Sequence, residues 1–466
     1  MGLEELSEDK LARFDLYAGR IRVFKYHAAI KFHDSVYETL HRYRPIILPN
    51  LTAFNAWIEE PSIMHRALHF ITNNRVEVMG FDLQNDHNMH PEHIDPAQIN
   101  QFLVNLAKYS SSVKDFRWCC DLKLASSGML NLGPCFESMP HLKTIKIPDY
   151  TFTDNDLLLL ASSPTLEVLE GGFKPSQCEF YQCNRIPAIP LGKNSTYTKA
   201  EDSSFVKLKK LNTFLPIAAL RNTLEHPRAR HIEELFLGVS DCAHVYEVGG
   251  SALLEGLQEM TSLAASRCSN VKGISVGVHA HREGQGTFEF TLLEPLLACS
   301  QLTSLIVLSN GRSSLVDTDI ERLAKALPML ETFVVMLGID TILHRYMSET
   351  PLMTMKSLTY FAGHQHIKTI GLYVDAGHKV SEGLSHLVQT CVSEELSFTG
   401  LKHLDLSQSR LGDPGIVASL LAALLKNSPE ASLVGKSLFN RWYGDMWAEV
   451  EKLMIKKRSD ARLIMQ

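Results

Sequence analysis

Cysteine is scarce in this chain. Nine cysteines in 466 residues, an odd number, exclude a small disulfide-stapled scaffold. Free thiols in a reducing compartment are the simplest reading, so a cytoplasmic or nuclear location is expected. Excess charge is missing too. Lys and Arg number 46 against 52 Asp and Glu, a formal charge of -6, which excludes a broadly basic nucleic-acid binder. Hydrophobic residues at 45% exclude a disordered chain. The longest apolar run, Ile416 to Leu425, contains Ser419 and falls far short of the roughly 20 residues of a membrane span. The opening MGLEELSEDK lacks a basic segment followed by an apolar core, so no secretory leader is read there. Leu6 stands where myristoylation after Met1-Gly2 needs Ser or Thr. No G-x-G-x-x-G or H-E-x-x-H is present. No enzyme activity, cofactor, nucleic acid or membrane partner is therefore expected.

What the chain has is a repeat. An apolar residue, two others, an apolar residue, one other and a third apolar residue recur along nearly its whole length. Leu142, Ile145 and Ile147 form one copy. Ile232, Leu235 and Leu237 form another, as do Leu302, Leu305 and Val307. Copies continue to Leu401, Leu404 and Leu406, and run back to Ile21, Phe24 and Tyr26. The period-two ending predicts short strands. Helical spacing fills the gaps, as in DNDLLLLA from Asp154, DTDIERLA from Asp317 and DPGIVASLLAALL from Asp413. An Asp at each helix start can accept from the unpaired first-turn N–H groups. Leu358 to Gly363 lies too close to the Ile367 strand to be another strand, and reads as the helix before it. One such unit cannot bury its own apolar face, so neighbours must stack. The expected fold is an α/β solenoid over 1–466, a right-handed superhelix with parallel strands on the concave face and helices on the convex face.

Its ends read as helical caps at 1–19 and 436–466. The second would place Phe439, Trp442, Met446, Val450 and Leu453 on one face. Residues 173–204, rich in Pro, Ser, Lys and Asn, read as a long loop insertion.

Few side chains suggest chemistry. His87, His90 and His93 lie beside Asp86 and Glu92 and offer ligands suited to zinc. Pro91 disfavours a helix there, so a solvated loop is the preferred reading. Gly435-Lys436-Ser437 matches the end of a phosphate-binding loop, but Glu430 occupies the first glycine's place. Cys178 and Cys183 lack a second pair for zinc. Cys268 and Cys299 read as packing residues. Lys456-Lys457-Arg458 reads as a run that offsets the negative end of a helix, with nuclear import as the alternative.

Outward strand positions carry the functional expectation. Phe236, Ile306, Leu308, Val334, Met336 and Tyr373 form an apolar run along the later strands, with Asp405 beside it. Exposed, it would be a protein-binding patch. The early strands instead turn Asn55, Trp57, Asp115, Arg117 and Lys146 outward.

Several segments resemble a known family. A cysteine precedes the strand in CSNVKGISV (Cys268) and CSQLTSLIVL (Cys299), as in leucine-rich repeats of the cysteine-containing, F-box-associated type. RFDLYAGRIRVFKY at 13–26, SVYETLHRYRPIILPNLTAF at 35–54 and SLTYFAGHQHIKTIGLYVDA at 357–376 are similar to the repeat region of the large mushroom-type family of fungal F-box proteins. Trp447 and Val450 fit its ending. The resemblance implies a leucine-rich-repeat solenoid that captures a protein substrate, while an F-box docks on the adaptor of an SCF ubiquitin ligase. Twelve residues precede Arg13 and carry no F-box. The adaptor is thus an expected partner only if an F-box lies upstream. A stand-alone repeat scaffold and a metal-dependent enzyme at the His87 cluster are the alternatives.

Overall fold

The computed structural model describes residues 8–27, 34–58, 64–83, 96–120, 130–147, 154–171, 205–213, 217–240, 250–279, 287–309, 312–337, 351–377, 381–406, 409–434 and 441–465. The described residues to Thr213 pack as one compact unit and those from Ile217 as a second.

The first unit holds seven strands: β1 (Val23–His27), β2 (Ala53–Ile58), β3 (Val78–Leu83), β4 (Asp115–Cys120), β5 (Thr144–Lys146), β6 (Val168–Glu170) and β7 (Lys210–Asn212). They pair in parallel and in chain order. Parallel neighbours need a crossover between them. Helix α1 (Glu8–Ala18) precedes β1, and helices α2 (Asp34–Tyr43), α3 (Pro96–Ala107) and α4 (Asp154–Ser162) occupy several of these connections.

The apolar anchors fall in register. Phe54, Met79, Phe116, Ile145, Leu169 and Leu211 stand side by side and are 0% exposed. Large rings thicken this core: Phe81 meets Phe102 edge-on at 5.2 Å and Trp118 at 5.9 Å.

The second unit repeats the plan with β8 (Glu234–Ser240), β9 (Gly273–His279), β10 (Ser304–Ser309), β11 (Thr332–Leu337), β12 (Thr369–Leu372), β13 (His403–Asp405) and β14 (Ser432–Val434). These pair in parallel and in chain order as well. Leu235, Ile274, Leu305, Phe333, Ile370, Leu404 and Leu433 form one buried column. Its helices are α5 (Ile217–Glu225), α6 (Gly250–Arg267), α7 (Asp317–Ala326), α8 (Ser381–Ser393), α9 (Pro414–Leu424) and α10 (Arg441–Met465). Connections differ in length. Between β9 and β10 the described chain makes a two-residue strand, Thr287–Phe288, and two 3-10 turns, whereas α6 has 18 residues. Before β12, Lys356–Thr359 forms one helical turn, so of the segment Leu358 to Gly363 read as helix only Leu358 and Thr359 are helical and Tyr360 to Gly363 form turns.

One backbone contact recurs in both units. The carbonyl just before a strand accepts two N–H groups from the next repeat. Lys114 O takes Lys143 N at 2.8 Å and Thr144 N at 2.9 Å. Glu331 O takes Lys368 N at 2.8 Å and Thr369 N at 2.9 Å. Glu167, Glu233, Lys272, Thr303 and Lys368 accept in the same way. Oppositely charged side chains often share this position: Glu77–Lys114 at 2.8 Å, Glu233–Lys272 at 2.9 Å and Glu331–Lys368 at 2.6 Å. These pairs are exposed and contribute little stability.

Two expectations at helix ends need correction. Asp413 does cap α9, accepting from Gly415 N at 2.7 Å and Ile416 N at 3.2 Å. Asp317 does not cap α7. Its carboxylate instead reaches the next repeat, accepting from Thr354 N at 2.8 Å, Thr354 Oγ1 at 2.7 Å and Ser357 Oγ at 2.6 Å. Asp319 serves the α7 terminus, accepting from Val316 N at 3.0 Å. The second correction concerns α10. Its buried stripe is Trp447, Val450 and Met454, while Met446 and Leu453 are half-exposed. Trp447 fixes this rotation by donating its indole N–H to Ser409 O at 3.2 Å. Phe439 lies outside the described residues, as does the side chain of Trp442.

Candidate recognition face

Strand alternation sends every second side chain away from the core. In the first unit the outward row reads Lys25, Asn55, Gly80, Arg117, Lys146, Glu170 and Asn212. It is polar throughout. Arg117 pairs with Asp115 at 3.3 Å. Glu170 holds two lysines, Lys146 and, at 3.0 Å, Lys210. Burial opposes the charge on Glu170, but hydrogen bonds from both lysines outweigh it and hold its carboxyl below the ordinary range. A Cβ at Gly80 would collide with the Asn55 side chain, which lies across that glycine. Near the strand ends His27 stacks on the exposed Trp57, ring centroids 5.6 Å apart.

The equivalent row of the second unit reads Phe236, Ser275, Ile306, Val334, Gly371, Asp405 and Val434. Leu308 and Met336 follow in the next row, in register with Gly277. The register thus brings Phe236, Ile306, Leu308, Val334, Met336 and Asp405 onto one face, while Tyr373 follows the end of β12 and lies outside the register. Their exposure is not as expected. Phe236 is 1% exposed, Met336 5%, Leu308 7% and Tyr373 8%, whereas Ile306, Val334 and Asp405 are half-buried. A small residue explains part of this. Gly371 leaves a gap into which its neighbours lean: a Cβ there would meet Met336 Cε at 3.0 Å and Val334 Cγ1 at 3.1 Å. Large side chains lying over such a gap shield one another.

One spacing overturns the expectation that no G-x-S-x-G is present. Gly273-x-Ser275-x-Gly277 matches the pattern of a hydrolase nucleophile elbow. That chemistry needs serine on a sharp strand-to-helix turn, but Ser275 lies mid-strand between Phe236 and Ile306.

Other candidates divide cleanly. His87, His90, His93, Cys178, Cys183 and Gly435-Lys436-Ser437 lie outside the described residues, as does 173–204. Among the described residues no cluster of His, Cys, Asp and Glu could hold a metal ion. No described helix is long and apolar enough to cross a membrane. Cys268 is 1% exposed and burial pushes its thiol up to about 12; Cys299 is half-buried and is pushed up by the same cause. Both therefore act as packing groups rather than thiolates. The run Lys456-Lys457-Arg458 is not at a helix end, because α10 continues to Met465. Arg458 instead donates to Ser428 O at 3.2 Å.

A scan against protein-family models finds no match, and a search of the curated proteins finds none either.

Proposed function

We propose that this chain is a non-enzymatic leucine-rich-repeat module for protein recognition. One observation carries the proposal. In each unit the inward column is uniformly apolar from strand to strand, while the outward row mixes charged, amide, hydroxyl, glycine and apolar residues. A constant interior under a varied face is what displaying a specific surface requires. The outward rows offer a polar, cationic stretch in the first unit and a largely apolar stretch ending at Asp405 in the second. In the second unit the half-buried Ile306, Val334 and Asp405 are the accessible contacts; Phe236, Leu308, Met336 and Tyr373 support them from beneath. The segments similar to fungal F-box proteins extend this to a substrate receptor of an SCF ubiquitin ligase, coupled to the adaptor through an F-box.

Cross-linking of the native protein with its cellular partners tests the recognition role. Cross-links should concentrate on the outward strand rows, and Lys25→Glu with Asp405→Arg should release the partner while the circular dichroism spectrum is unchanged. Cross-links confined to the helices, or full retention of partners by the double variant, would refute it. Absence of the SCF adaptor from the same preparation would remove only the ubiquitin coupling.

A further inference from the structure

The two described ends of the repeat array differ. At the far end α10 covers the core, with Trp447 and Val450 0% exposed. At the near end Ile21 and Phe24 remain half-exposed, although their counterparts Leu51 and Phe54 are 0% exposed. Helix α1 does not close this end with an inert surface. It turns Leu11 and Ala18 inward and leaves Leu16 and Tyr17 each 54% exposed.

The outward stripe of α1 has a specific order. Asp9, Ala12, Arg13, Leu16 and Tyr17 are all exposed and recur at three- and four-residue spacing on one face of α1, and the exposed Arg20 follows in the turn beyond Ala18, its N–H donating to Tyr17 O at 3.0 Å. Laid antiparallel against an identical helix about a twofold axis, the stripe complements itself. Asp9 of one helix meets Arg20 of the other, twice. Between these pairs the small Ala12 faces the large Tyr17, and the stem of Arg13 lies along Leu16. Among the described residues neither Asp9 nor Arg20 already makes an ion pair. Asp15 of α1 accepts from Arg44 through both carboxylate oxygens at 2.7–3.0 Å, which ties the helix to the segment after α2.

We propose that α1 is a homodimerisation surface whose occupant is the α1 of a second copy of this chain. An isologous contact of this kind buries the apolar centre on both copies and closes on itself.

Sedimentation equilibrium on the whole chain, over a range of micromolar concentrations, tests the proposal. Wild type should reach twice the chain mass. Leu16→Asp should remain monomeric with an unchanged circular dichroism spectrum. Asp9→Arg alone and Arg20→Asp alone should each weaken the dimer by about threefold to tenfold, the range expected for two partly exposed ion pairs. Combining them restores opposite charges and should return the wild-type affinity. A wild type that stays monomeric at about 100 µM, a dimer indifferent to Leu16→Asp, or a double exchange weaker than either single would each overturn it.

Discussion

Asp317 is the residue whose role departs furthest from its position in the chain. It opens a helix, yet its carboxylate holds three donors of the following repeat. Asp317→Ala would leave partly buried donors unpaired and should cost about 2 kcal/mol, measured by urea unfolding. Asp317→Asn, which keeps one acceptor, should cost less. Two histidines add a pH dependence. Burial lowers the affinity of His69 for a proton, with the charges of His41 and His65 acting in the same direction. Burial also lowers His364, against an opposing hydrogen bond with Ala324. Both fold as neutral rings, so the unfolded chain binds protons more readily. Their contribution is complete above the ordinary value of 6.5 and declines as pH falls through it toward the folded-state values. The urea midpoint should therefore drop between pH 7.5 and pH 5, and by less in the His69→Gln, His364→Gln double variant. An equal drop in that variant would assign the effect to other groups.

Elements were legible in the sequence to the degree that one physical cause determined them. Anchors such as Phe54, Ile145 and Leu404 announce themselves because period-two spacing and burial in a sheet are the same fact. The outward rows were legible in direction only. Whether Met336 reaches solvent depends on what the adjacent strand places beside it, and Gly371, over which it leans, lies tens of positions away. Helix rotation has the same limit. Periodicity alone permits either Met446 or Trp447 to face inward, and the bond to Ser409 decides. Two predictions belong here. Asp413→Ala removes the α9 cap and should cost about 1 kcal/mol. Trp447→Ala opens a cavity under α10 and should cost about 3–5 kcal/mol. Thermal or urea unfolding reads both. If Trp447→Ala cost no more than Asp413→Ala, the packing assigned to α10 would be incorrect.

For the whole molecule, the sequence foretold stacked repeats with parallel strands, and the two compact units carry them. It could not foretell the partition at Thr213, which depends on contacts between residues far apart in the chain. Stacked repeats share stability with neighbours only, so their ends open first unless covered. Amide hydrogen exchange should be fastest at β1, beside the half-exposed Ile21 and Phe24, and slower at α9, against which α10 packs. Equal protection at both ends of the array would contradict the difference in burial.

The carbonyl that receives two N–H groups before each strand also bears on how such a chain can change its length. This part of the seam between neighbours is built from main chain, so it does not depend on side-chain identity. Unequal crossing-over between two copies of the repeat in a gene would join strand to strand through the same pair of bonds. Whole repeats could be gained or lost without redesigning the joint, and the surface they display could lengthen in steps of one strand.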